Sequence, residues 1–195
     1  MAAIVALGTV VWVERAALLR SAANAWIVSD EVGPADAVAI FGGGPDDRPF
    51  AAADYYRRGL VKTILIANDR LSPSEKIGAV PTSVEANREV LLKLGVPEAS
   101  IATFGNDLSN THEEVLALQA WAQAAGARSI IVPTELFSAR RLRWALHHVF
   151  GDGVTIRVPA LERDEFGRDD WWRHEGGVVA FQNEVLKYLY YRIKY

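Results

Sequence analysis

Residues 36–44, Asp36-Ala37-Val38-Ala39-Ile40-Phe41-Gly42-Gly43-Gly44, decide the fold. The apolar run from Ala37 to Phe41 is too short for a helix and is closed by three glycines, so it reads as a strand buried on both faces. The same grammar repeats outward from it. Residues 48–58 are rich in alanine with an aromatic pair and end at Gly59, a helix with its stop. Residues 62–67 (KTILIA) are a second buried strand, and 68–81 a polar loop punctuated by Pro73, Gly78 and Pro81. A helix over 82–94 stops at Gly95, and a weaker strand covers 100–104. A helix over 110–125 ends at Gly126, followed by a strand at 129–132 (SIIV), a helix at 137–150 and a strand at 154–158. A charged loop spans 161–173, and 177–193 forms a closing helix.

Strands alternating with helices are the mark of a parallel sheet covered on both faces. The expected class is therefore α/β, a Rossmann-like three-layer sandwich with a mostly parallel sheet of about five strands. It occupies residues 35–195 as one domain and is preceded by an apolar N-terminal helix over 1–28.

The chain has 195 residues, half of them hydrophobic and 23% charged, which suits one globular domain with a sizeable core. A net charge of −3 without a basic run argues against nucleic acid as partner, because duplex binding rests on clustered Lys and Arg. The absence of cysteine excludes disulfides, thiolate nucleophiles and Cys-ligated metals. Residues 1–13 (MAAIVALGTVVWV) carry no side-chain charge, but Glu14 and Arg15 interrupt them before a second apolar run over 16–28. The first run is shorter than the ~20 residues of a spanning helix and lacks a basic leader. It reads as a short or tilted membrane anchor, as an amphipathic helix lying on a membrane or the domain, or as a core helix.

In open parallel sheets, ligands bind beyond the carboxyl ends of the strands, where strand order reverses. The unusual residues fall at those ends. Gly42, Gly43 and Gly44 can bring backbone amides to an anion, although the dinucleotide and Walker spacings are absent. Arg48 could clamp a phosphate or carboxylate, or pair with Asp46 or Asp47. Asp69, closing the second strand, is where a ribose would be expected. Thr82 to Glu85 and Thr111 to Glu114 both match the capping box, which offers Glu85 and Glu114 a purely structural role. Glu113 is not explained by capping and is the leading general acid/base candidate, with Glu85 as the second catalytic candidate. Asn110, Thr111 and Thr134 would contribute polar contacts. Arg140 and Arg141 lie early in a helix, where cations oppose the dipole, and so call for an anionic ligand or an acidic partner. His112, His147, His148 and His174 form no zinc-type pair, and no metal is expected. Trp171 and Trp172 would be a lid, a membrane contact or a core clasp.

The order of these pieces resembles the SanA/YdcF-like family (domain of unknown function 218). An apolar strand with a Gly-rich turn, an Arg and an Ala-rich helix correspond to Ala37 to Gly44, Arg48 and Ala51 to Ala53. Glu85-Ala86, Gly95-Val96-Pro97, Asn110-Thr111 with Glu113, Thr134 with Arg141, Trp171-Trp172, and Glu184 to Lys187 follow in family order. Two departures stand out. The family's usual Ser-Gly-Gly after the second strand is Ala67-Asn68-Asp69, and its usual His before the arginine segment is Ser138. Any step carried by that His is either lacking here or performed by another residue.

The resemblance implies a Rossmann-like fold, a single N-terminal anchor in the inner (plasma) membrane, and a place in cell-envelope or cell-wall biogenesis. It also makes S-adenosylmethionine a possible cofactor, since one member is associated with it. The leading expectation is an enzyme or ligand-binding domain for a phosphorylated or nucleotide-like molecule, such as a phosphate-bearing lipid-linked intermediate. A non-catalytic envelope scaffold using the Trp171-Trp172 loop, and an S-adenosylmethionine-binding protein, are the alternatives.

Overall fold

The computed structural model describes Met1, Thr9 and residues 11–195. Its centre is a five-stranded, wholly parallel sheet built from β1 (Ala37–Ile40), β2 (Thr63–Asp69), β3 (Ile101–Leu108), β4 (Ser129–Ile131) and β6 (Thr155–Arg157), in the order β3-β2-β1-β4-β6. Around it run α1 (Arg15–Trp26), α2 (Arg48–Arg57), the single-turn α3 (Pro73–Lys76), α4 (Ser83–Lys93), α5 (Thr111–Ala125), α6 (Ala139–Phe150) and α7 (Glu175–Lys194). The protein is thus α/β, with helices flanking a parallel sheet.

Side-chain alternation along β1 divides the core into two layers. Ala37, Ala39 and Phe41 face a cluster holding Val115, Leu118 and Ala122 of α5 and Leu142 and Leu146 of α6. Val38 and Ile40 face the opposite cluster, with Ala52, Ala53 and Tyr55 of α2 and Leu91 of α4. Both faces of the strand are dry, which explains why it reads as an unbroken apolar run.

The structure departs from the sequence expectations in several places, among them the helical turn α3 inside the expected loop 68–81. β3 continues to Leu108, past the expected end at 104. The extension turns through Gly105 and Asp107, both at positive φ, and Leu108 pairs with Asp69 across an irregularity in register. A two-residue pairing of β5 (Thr134–Glu135) with β7 (Ala160–Leu161) prolongs the β4–β6 edge. The expected apolar N-terminal helix lies partly outside the described residues, namely 2–8 and 10. Of the described residues there, Thr9 and 11–13 are helical, the chain bends at Glu14, and α1 follows. Its Ala23 is fully buried with Leu136, Phe137, Phe166 and Trp171. Among the described residues, no helix is long and apolar enough to cross a membrane.

From β1 the chain steps outward to β2 and β3, then returns to the other side of β1 as β4. The carboxyl ends of β1 and β4 therefore flank the point of order reversal, the crevice where this architecture binds ligands.

Candidate functional site

The crevice between β1 and β4 is built around Gly42. Beyond β1 the chain turns through Gly43 at φ +142°, a conformation that favours glycine. A Cβ on Gly43 would also stand 3.0 Å from the Arg48 guanidinium. Arg48 opens α2 and folds back beneath the turn. It donates to the carbonyls of Phe41, at 2.7 Å, and Gly42, and its other terminal nitrogen holds both carboxylate oxygens of Glu135 at 2.7 and 2.8 Å. Thr134, buried on β5, donates its hydroxyl to Glu135 at 3.3 Å. Burial pushes the Glu135 carboxyl up, but Arg48 outweighs it and holds the group below the usual range. Arg48 thus pairs with Glu135 on the far side of the crevice. Asp47, one of its expected partners, binds Arg163 at 3.0 Å instead.

A second buried pair stands opposite. Arg141 of α6 donates to both carboxylate oxygens of Glu184 of α7 at 2.7 and 3.2 Å, and to the Thr111 hydroxyl at 3.1 Å. Lys187 reaches the same carboxylate at 3.1 Å. Between the pairs lies a cavity of about 370 Å³ whose lining includes Arg48, Arg141, Arg163, Lys187, Glu135 and Glu184. Counting Asp47, which pairs with Arg163, four cations stand against three carboxylates and leave a small positive excess, and the size suits a small molecule.

Glu114 lies beneath the Gly42 turn. Its carboxyl accepts the Gly42 amide hydrogen, and its side chain is almost wholly enclosed. Burial raises its pKa to about 7, with the neighbouring Asp69 adding to the rise while Gly42, Arg48 and Arg141 oppose it. Asp69, at the end of β2, lies against Gly42 so closely that a Cβ there would overlap its carboxylate. Burial lifts Asp69 to about 6, partly countered by Arg48. Gly42, Thr111, Asp69, Asn110 and Glu114 border an adjoining, more open cavity of about 510 Å³.

Gly42, Arg48, Asp69, Thr111, Thr134 and Arg141 are accordingly brought together. Gly44 stands at the turn's outer edge beside Asp46. Asn110 caps α5, its side-chain oxygen accepting from the amides of His112 and Glu113 at 3.0 and 3.1 Å.

Other candidates are placed elsewhere. Glu113 accepts from the amide and hydroxyl of Ser109 at 2.8 and 2.7 Å, so its carboxyl turns to the preceding loop rather than to Gly42. Those bonds hold it below the usual range, the wrong direction for a proton donor at neutral pH. Glu85 is exposed and closes the capping box with Thr82 at 2.8 and 3.1 Å. Glu114, read as a capping residue, is instead the crevice acid, because the cap sits one residue earlier at Asn110. Arg140 leaves the crevice altogether. It donates to the carbonyls of Trp26 and Ala25 at 2.7 and 2.6 Å and lies over the Trp26 ring, satisfying the carboxyl end of α1. Trp171 is a core clasp, packed on Phe137 and Phe181, and the scaffold reading loses a freely exposed Trp171.

Glu135 and Arg163 were missed in the sequence, and Glu184 and Lys187 entered only through the resemblance, with no site role attached. Glu184 carried a signal, since it shares the buried face of α7 with Gly177 and Tyr191 at seven-residue spacing.

Comparison of the chain with protein-family models and with curated proteins returned no match.

Proposed function

We propose that this protein binds a small anionic molecule, phosphorylated or nucleotide-like, in the β1–β4 crevice and exchanges a proton with it through Glu114. The observation that carries this reading is the Glu114 carboxyl, poised near 7 under the Gly42 turn beside an electropositive cavity. Arg141 and Lys187 would meet the anion, with Arg48 fixing the turn and Arg163 completing the rim. A carboxyl near neutrality can both donate and accept a proton, which suits general acid/base work on a bound ester or hydroxyl. The resemblance to SanA/YdcF-like proteins favours a ligand of cell-envelope biogenesis, including a phosphate-bearing lipid-linked intermediate.

A nucleotide-like ligand, S-adenosylmethionine among them, draws support from Asp69. An acid at the end of the second strand is where a ribose hydroxyl is held in nucleotide-binding sheets, and Asp69 borders the cavity adjoining Gly42.

Thermal melting with inorganic phosphate, glucose 1-phosphate and AMP tests the reading, with calorimetry for S-adenosylmethionine. At least one phosphate-bearing probe is expected to raise the melting temperature, and Arg141→Ala and Lys187→Ala to abolish the rise. Unshifted curves with every probe would sink the proposal.

A further inference from the structure

Helix α7 is apolar on two sides. Its inner face buries Gly177, Glu184 and Tyr191, and Phe181 and Tyr188 pack edge-on against Trp26 of α1. Its outer face should be polar if water were its partner. Instead Val179, Leu186, Leu189, Tyr190 and Ile193 are exposed there, Leu186 to 58% and Ile193 to 86%. Their spacing places them on one stripe of the helix, interrupted between Val179 and Leu186 by the exposed Gln182 and unbroken from Leu186 to Ile193. From Val179 to Ile193 the stripe runs about 20 Å at the α-helical rise.

Charge identifies what this stripe fits. Lys187 and Lys194 border it on one side and Arg192 on the other, and all three are exposed. The two acids of α7 lie at its first residue, Glu175, and in the buried pair, Glu184. An apolar stripe with cationic rims and a tyrosine at its edge is the pattern of a helix lying in a lipid headgroup layer. A second copy fits less well, because a two-fold pairing of this face would set each cationic rim against its own copy.

We propose that the outer face of α7, centred on Leu186 and Ile193, docks on an anionic lipid surface. The contact is peripheral, with the helix parallel to the membrane plane. It also gives the crevice an orientation. A groove lined by Thr111, Arg141, Lys187, Tyr190 and Lys194 runs from the cationic cavity to the edge of the stripe. The cavity would therefore open at headgroup level. The docking itself does not depend on the ligand reading.

Co-sedimentation of the full chain with vesicles of phosphatidylglycerol and phosphatidylcholine, against phosphatidylcholine alone, tests it. Binding is expected on the anionic vesicles, weakening with salt. Leu186→Glu with Ile193→Glu should reduce binding about tenfold or more while phosphate-probe melting shifts persist, since two large apolar contacts are lost. Leu186→Gln with Ile193→Gln is the milder pair should the charged pair fail to fold. Lys194→Glu with Arg192→Glu should remove the preference for anionic vesicles. Undiminished binding by the face variants would overturn the proposal. So would absence of vesicle binding, or a wild-type dimer that the face variants merely convert to monomer.

Discussion

The carboxyl of Glu114, in the first turn of α5, accepts the amide hydrogen of Gly42 at the end of β1. That bond joins a helix start to a strand end 72 residues away in the chain, across the layer boundary of the sheet. It puts a titrating group against the one turn residue, Gly42, that lines both cavities.

The first expectation concerns pH. Glu114 titrates near 7 when folded, against an ordinary 4.5. The folded chain keeps this proton over a window in which the unfolded chain loses it. The resulting stability is complete below about 4.5, declines as pH rises, and is lost above about 7, a difference on the order of 3 kcal/mol. Asp69, raised in the same direction, deepens the decline. Glu114→Gln retains an acceptor for Gly42 but cannot ionise. Its melting temperature should exceed that of the wild type at pH 8 and match it near pH 4.5. Parallel pH profiles for the two proteins would remove Glu114 as the titrating group.

Arg48 and Glu135 behave as one unit. Arg48→Ala would strand a mostly buried carboxylate and leave the Phe41 and Gly42 carbonyls without their guanidinium donor, at a cost of about 3–5 kcal/mol. Arg48→Met with Glu135→Leu removes both charges and should recover much of that loss. Urea unfolding of Arg48→Met, Glu135→Leu and the double variant gives the coupling energy. A value near zero would mean the pair is not coupled.

Glu113 and Glu85 serve as controls. Each bonds backbone near the start of its own helix, so alanine at either position should lower the melting temperature modestly. Neither should alter the shift produced by phosphate-bearing probes. Loss of that shift in Glu113→Ala would place Glu113 in the ligand site.

Much of the fold was legible because a parallel strand buried on both faces has no polar residue to blur it. Ala37 to Ile40 and Thr63 to Ala67 are nearly pure apolar runs, and glycine ends several of the helices. The choice between Glu113 and Glu114 was not legible. Neighbouring residues on a helix point about 100° apart, so placing the cap at Thr111 rather than Asn110 exchanges which acid faces the sheet. Arg140 and Arg141 divide in the same way, one to the carboxyl end of α1 and the other to Glu184. The extension of β3 was hidden by Gly105, Asn106 and Asp107, which read as a loop. They are held in the sheet by the pairing of Leu108 with Asp69.

The contact between Gly42 and Asp69 yields the last expectation. The φ of Gly42 is not positive, so its need for glycine is not conformational. It is spatial, because an added methyl would overlap the Asp69 carboxylate at the end of the neighbouring strand. Gly42→Ala should therefore displace Asp69, disturb the Gly42 amide's bond to Glu114, and destabilise the chain by about 1–3 kcal/mol, as overpacking commonly does. Asp69→Gly vacates the same space and also relieves Glu114 of a neighbouring negative charge. Gly42→Ala combined with Asp69→Gly should thus be more stable than the sum of the two single changes implies, a positive coupling readable from melting at pH 7. Additive losses would show that the methyl meets some other obstacle. If Asp69→Gly alone also abolishes the melting shift given by phosphate-bearing probes, the Asp69 carboxylate itself contacts the ligand.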